Sequence, residues 1–300
     1  MALVSPAPVL LGKERRQSWL RAVPVCWHFF SLDAPSVAVL WAWALGRAVG
    51  ADLSWSALAV LGLGTWLIYV ADRLLDSRLG ALRVDLRERH FFHARHRHAL
   101  LLCGALALVP LLWLIAFRMP AAARREDAWI FLVAMVYFAA VHLPRIRVRP
   151  RVRFPHELAV APVFAAGAVV PAWAGSTTAH VDLLWLAALF AALCWLNCAA
   201  IHAWESAKPP RRWSFASALA LAIGCLAGAL MLPALHHPGV FRLLTAMLAS
   251  ALLLFALDRD FSRSRRQAAP QHGDLSPLAL RILADAALLT PLLLMFPWRV

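Results

Sequence analysis

The sequence predicts an all-α, polytopic membrane protein with nine transmembrane helices, and three observations predict it. Apolar runs recur along the whole chain, each close to the roughly 20 residues a helix needs to cross a bilayer. Of the 300 residues 62% are hydrophobic and the mean hydropathy is +0.68, far from the balance of a water-soluble domain. Basic residues fall in blocks that alternate with the runs. The runs are continuous in Ala, Leu and Val rather than alternating, which argues against a β-barrel.

The expected spans are 24–48, 53–71, 99–117, 128–143, 157–173, 181–203, 214–235, 240–257 and 278–297. The first follows a basic N-terminal segment, 1–23, and carries Asp33 near its start; 24–300 then form a single transmembrane domain. No short apolar stretch closed by small residues opens the chain, so no removable signal peptide is expected. The second span runs into the charged stretch YVADRLLDSRL, 69–79. The third follows RHFFHARHRH, 89–98, and the fourth follows RRED. Pro144, Pro150 and Pro155 stiffen the approach to the fifth, which opens on His156 and Glu157 and continues in small residues that favour close helix packing. Pro209 and Pro210 stop the sixth. The eighth ends in ALDRDFSRSRR, a faint echo of VADRLLDSR after the second. Arg281 and Asp285, one turn apart in the ninth, are expected to pair with each other.

The formal net charge is +14, but in such a chain the placement of charge outweighs its sum. With the N-terminus inside, Arg47, Arg118, Arg124, Arg125, Arg242 and Arg299 fall outside; the remaining 24 of the 30 Lys and Arg fall on the cytoplasmic side. That bias predicts a cell inner (plasma) membrane protein with a cytoplasmic N-terminus, its basic blocks facing anionic lipid or phosphate and not nucleic acid. The five cysteines all sit inside apolar runs and read as buried thiols, not a disulfide framework.

Asp72 and Asp76 lie one helical turn apart, so both carboxylates share a face. Carboxylates at that spacing can ligate Mg²⁺, which binds one or two of them and completes its shell with water and substrate phosphates; a solvated helix end with mutual Arg73 and Arg78 pairs is the alternative. A second polar stretch, WLNCAAIHAWESAKPPRR, ends the sixth span at the same side. On a helix Asn197, Ile201, Trp204, Glu205 and Lys208 fall in one sector, with His202 elsewhere. Asn197 lies inside the apolar run, where a polar side chain is costly and marks function by default.

These two stretches, with the span count and orientation, resemble UbiA-type membrane prenyltransferases. That family has nine transmembrane helices and acidic motifs after helices two and six, which bind Mg²⁺ and an isoprenoid diphosphate. Asp72 and Asp76 match the later half of the first motif; Ile68 and Tyr69 stand where its leading Asn and Asp would be. Glu205 retains an acid in the second motif without its usual aspartates. The resemblance implies a UbiA-like bundle around one cytoplasm-facing cavity and transfer of an isoprenoid to a lipophilic acceptor. It implies Asp72, Asp76 and Glu205 as holders of Mg²⁺, and Tyr69, Asn197 and His202 as groups that orient the acceptor or stabilise the allylic cation. It implies Arg73, Arg89, His93, Arg97 and Lys208 as holders of the diphosphate, with Glu157 lining the cavity.

RHFFHARHRH supplies a dense donor set suited to a phosphate, or an anchor on anionic headgroups. Its histidines also resemble the boxes of membrane di-iron enzymes, but those need several boxes on one side, and His236–His237 is expected on the other. Asp33, Asp72, Asp76, Glu157, Glu205 and Asp285 all map near one third of the membrane, as one polar pocket would require. The alternative functions are a non-catalytic binder of a lipid or isoprenoid phosphate, a scaffold of a membrane complex, and a transporter. A transporter would want broken helices and a polar path across the midplane.

Overall fold

The structure, a computed structural model, describes residues 23–79, 88–142, 156–205, 238–264 and 275–294. Helix fills 89% of them and no strand occurs among them. In chain order the helices are α1 (Val23–Phe29), α2 (Asp33–Val49), α3 (Trp55–Leu79), α4 (Glu88–Arg95), α5 (Arg97–Phe117), α6 (Ala121–His142), α7 (His156–Ala174), α8 (His180–Glu205), α9 (Pro238–Ser264), α10 (Pro277–Ala287) and α11 (Pro291–Leu294). Helices α3, α5, α8 and α9 are long and apolar enough to cross a bilayer, and α1 with α2 make a fifth if the bent pair is one span. Helix α6 is as long, but Arg124, Arg125, Glu126 and Asp127 occupy its first two turns. Helices occupy eight of the nine expected segments; 214–235 lies outside the described residues.

Helix α2 is the hub. It packs on α3, α7, α8, α9, α10 and α11. Trp41, Ala44 and Leu45 are wholly buried, and the Trp41 indole stacks on Phe190 of α8 at 4.5 Å. Ala161, Ala165, Ala168 and Ala172 recur on one face of α7 and are all buried. This stripe of small side chains lets α7 approach both α2 and α8 closely. Helices α5 and α6 stand at the rim, where Leu106, Val109, Phe117 and Trp129 are exposed, as side chains facing lipid would be.

Two of the expected spans are interrupted. Helices α1 and α2 meet at 92°, and α10 parts from α11 around Leu288–Thr290. Backbone groups freed inside a bilayer need partners. At the second break the Trp41 Nε1 donates to the Leu288 carbonyl at 2.8 Å, and the Thr290 hydroxyl bonds Ser250 at 2.7 Å and the Ala246 carbonyl at 2.8 Å. At its other end α2 stops on Gly50, whose φ of 70° suits a residue without a Cβ.

The helix directions sort the side chains into two ends. The start of α2, the ends of α3, α8 and α9 and the start of α10 share one end, joined by the contacts Arg73–Asp33, Asn197–Asp285, Arg281–Glu205 and Trp204–Asp258. The end of α2 and the start of α9 share the other, where Gly239 lies against the backbone of Arg47 and Ala48.

Candidate functional site

The site begins at the bend. Ser31 adopts φ 57°, the left-handed region that a non-glycine residue enters at a cost. Its side chain explains the choice of residue. Ser31 Oγ accepts from Arg73 Nη1 at 2.8 Å and meets His93 Nε2 of α4 at 3.3 Å. The same Nη1 donates to the His28 carbonyl at 2.9 Å, which also accepts from the Ser31 amide within the turn at 3.1 Å. Arg73 Nη2 reaches Asp33 Oδ2 at 3.3 Å. Asp33 in turn holds His28 Nδ1 at 2.8 Å and accepts from the Ala34 amide at 3.0 Å. Thus α3 and α4 together fasten the turn between α1 and α2.

The other half comes from α8 and α10. Asn197 Nδ2 donates to Asp285 Oδ1 at 3.2 Å, while Asp285 Oδ2 lies 3.8 Å from His28 Nδ1. Arg281 and Asp285, expected to pair with each other, instead both turn to α8: Arg281 Nη1 donates to Glu205 Oε1 at 2.9 Å. Ligand atoms of His28, Asp33 and Asp285 all lie within 4.8 Å of one another. Asn197 is 6% exposed and its Oδ1 has no partner among the described residues; the same holds for the buried Nε of Arg281.

Of the residues picked from the sequence, the structure gathers Arg73, His93, Asn197 and Glu205 into this buried network with Asp33 and Asp285. Tyr69 lies within electrostatic range of Asp33, Arg73, Cys198 and Asp285. Asp72 and Asp76 are half-buried one turn beyond. Arg97 is exposed and donates to the neighbouring His98 at 3.2 Å, and His202 is exposed. Arg89 and Glu157 lie on α4 and α7, but their side chains are outside the described set, as is Lys208 altogether.

His28 and Ser31 were missed by sequence reasoning. The five-residue step from His28 to Asp33 matches no helical face, and only a sharp bend makes it a contact. Beside that bend runs an open, almost wholly apolar groove of about 680 Å³. It is lined by Leu32 at the bend and by Pro35, Ser36, Val39, Leu40 and Trp43 on α2, together with Trp27, Leu58, Gly62, Leu289 and Leu292.

Comparison with known proteins assigns no relative: no family model, curated protein or solved structure matches the chain.

Proposed function

We propose that the chain is an inner-membrane prenyltransferase of UbiA-like type, with nine crossings and a cytoplasmic N-terminus. The nine-crossing reading counts α1 with α2 and α10 with α11 as one span each and assigns the remaining crossing to 214–235. The observation that carries the function is one juxtaposition. The ends of α3 and α8, which bear the two motif regions, meet through a buried polar network beside an apolar groove. An amphiphile with a charged head and a long apolar tail fits that pairing. Helix rise gives the groove a length of about 16 Å along α2, enough for several isoprene units.

In this reading the Asp72 and Asp76 carboxylates fit Mg²⁺. They are half-buried, one turn apart and beside the basic α4, and the ion needs few protein ligands once diphosphate oxygens are present. The ion would neutralise charge on the departing diphosphate. Arg89 of α4 and Arg97 at the start of α5 would share that task. Stabilising the leaving group lowers the barrier to breaking the allylic C–O bond; the new bond then forms to the acceptor, whose proton leaves to solvent. Glu205 Oε1 is engaged by Arg281, so Glu205 orients rather than ligates. Arg73 and His93, already satisfied inside the bend, act as positioning residues, and Tyr69 and Asn197 face the reacting carbon.

A second reading, a non-catalytic binder of lipid phosphate, is favoured by one observation: a phenol and not a carboxylate occupies position 69. A transporter gains a bent helix from the structure, but the network described here lies at one end of the bundle and not along a path across it. Binding of farnesyl diphosphate to the detergent-purified protein, with Mg²⁺ and then with EDTA, separates the readings. Mg²⁺-dependent binding that drops at least tenfold in Asp72→Asn/Asp76→Asn supports the enzyme. EDTA-insensitive binding supports the receptor, and no binding in either condition removes both.

A further inference from the structure

We infer that His28, Asp33 and Asp285, with the amide oxygen of Asn197, form a buried site for a divalent transition-metal ion. The inference does not use the Asp72 and Asp76 carboxylates, and of the groups in the prenyl-transfer reading it shares Asn197 alone. Three features of the cluster support it, each of a different kind.

The first is geometry. A tetrahedral ion with bonds of about 2.0–2.2 Å holds its ligand atoms about 3.3–3.6 Å apart. His28 Nδ1 lies 2.8 Å from Asp33 Oδ2 and 3.8 Å from Asp285 Oδ2, so the spacings bracket that value. The ligands come from four elements, α1, α2, α8 and α10, and the turn that presents two of them is fastened by Arg73 and Ser31.

The second is an orphan. Asn197 is more than nine-tenths buried, donates its amide hydrogen to Asp285, and leaves Oδ1 without a partner among the described residues. A buried acceptor without a donor costs about 1–3 kcal/mol. A half-turn of the amide would bring this oxygen to a cation held by Asp285 and satisfy it.

The third is the donor set. An imidazole with two carboxylates is a ligand set for a divalent ion, and the imidazole selects a borderline ion such as Zn²⁺ over Mg²⁺, which prefers oxygen ligands. The Asp285 side chain is 15% exposed and offers the way in.

The test is calorimetric titration of the chelator-stripped, full-length protein in detergent with Zn²⁺ alone, with Co²⁺ absorption as the spectroscopic signature. The expected result is one equivalent bound, at least a hundredfold weaker in Asp285→Asn and in His28→Gln. It should be unchanged in Asp72→Asn/Asp76→Asn, which separates this site from the diphosphate pocket. Asp33 is left intact because it also fastens the bend. Absence of Zn²⁺ binding, or equal binding in wild type and Asp285→Asn, overturns the inference. Binding lost only with Asp72 and Asp76 overturns it too, and moves the metal to the mouth of the pocket.

Discussion

Helices α5 and α8 are both long, apolar and fit to cross a bilayer, yet they do opposite jobs. Half of the apolar stretch of α8, 50%, is buried inside the protein, against 17% for α5. Helix α8 touches α2, α7, α9 and α10, whereas α5 rests on α3 and α4. Apolarity says that a helix can leave water; it does not say whether the helix meets lipid or protein, because a lipid tail is as apolar as leucine. The polar residues make the distinction. Asn197 and Glu205 on α8 find partners on α10, and the inner turns of α5 carry no charged side chain.

The comparison breaks most visibly at two phenylalanines. Phe190 of α8 is wholly buried against Trp41, while Phe117 at the end of α5 is 75% exposed. Truncating a buried aromatic leaves a cavity that the neighbours only partly close. Phe190→Ala should therefore cost about 3–5 kcal/mol, and Phe117→Ala should stay within about 0.5 kcal/mol of wild type. Unfolding of both variants by SDS titration measures the difference. Equal losses would mean that α5 is as enclosed as α8 in the folded protein.

A smaller effect sharpens the polar side of the comparison. Asn197→Ala removes the amide that donates to Asp285 at 3.2 Å, leaving a buried carboxylate oxygen short of a donor. The expected loss is about 1–3 kcal/mol. Cys103→Ala, a smaller truncation at an exposed position on α5, should cost less than about 0.5 kcal/mol. The same unfolding assay reads both. A neutral Asn197→Ala would show that the amide does not support Asp285.

What the sequence made legible follows from these physical causes. Helix positions were legible because apolar length alone sets them. The gathering of acids was legible because charge inside an apolar run has few places to go: Asp33 and Asp285 do meet, bridged by His28. The partner of each charge was not legible. Arg281 and Asp285 share a helix face, yet each is claimed by α8, since a contact between helices is invisible to spacing within one. Arg73 was expected at a phosphate from its place beside Asp72; its bonds to Ser31, Asp33 and the His28 carbonyl, all across the bend, could not be read from spacing. That bend, with Ser31 in a left-handed turn, has no glycine or proline at its centre to announce it.

The smallest expected effect runs in the opposite direction and tests the rim of the bundle. Gly104 lies in the middle of α5, where a glycine costs up to about 1 kcal/mol of helix stability relative to alanine. A Cβ built there would meet Leu67 Cδ2 of α3 at 3.6 Å, an ordinary van der Waals contact. The methyl group therefore adds a contact with α3 without displacing it. Gly104→Ala should stabilise the protein by about 0.4–1 kcal/mol, chiefly by restricting the unfolded chain. Gly239, at the start of α9, gives the contrast: a Cβ there would stand 2.9 Å from the backbone of Ala48, and backbone cannot turn aside as a leucine can. Gly239→Ala should destabilise in the same assay. If both substitutions destabilised, α5 would be held against α3 more tightly than its exposed face implies, and the division between an enclosed α8 and a lipid-facing α5 would fail at the α3 contact.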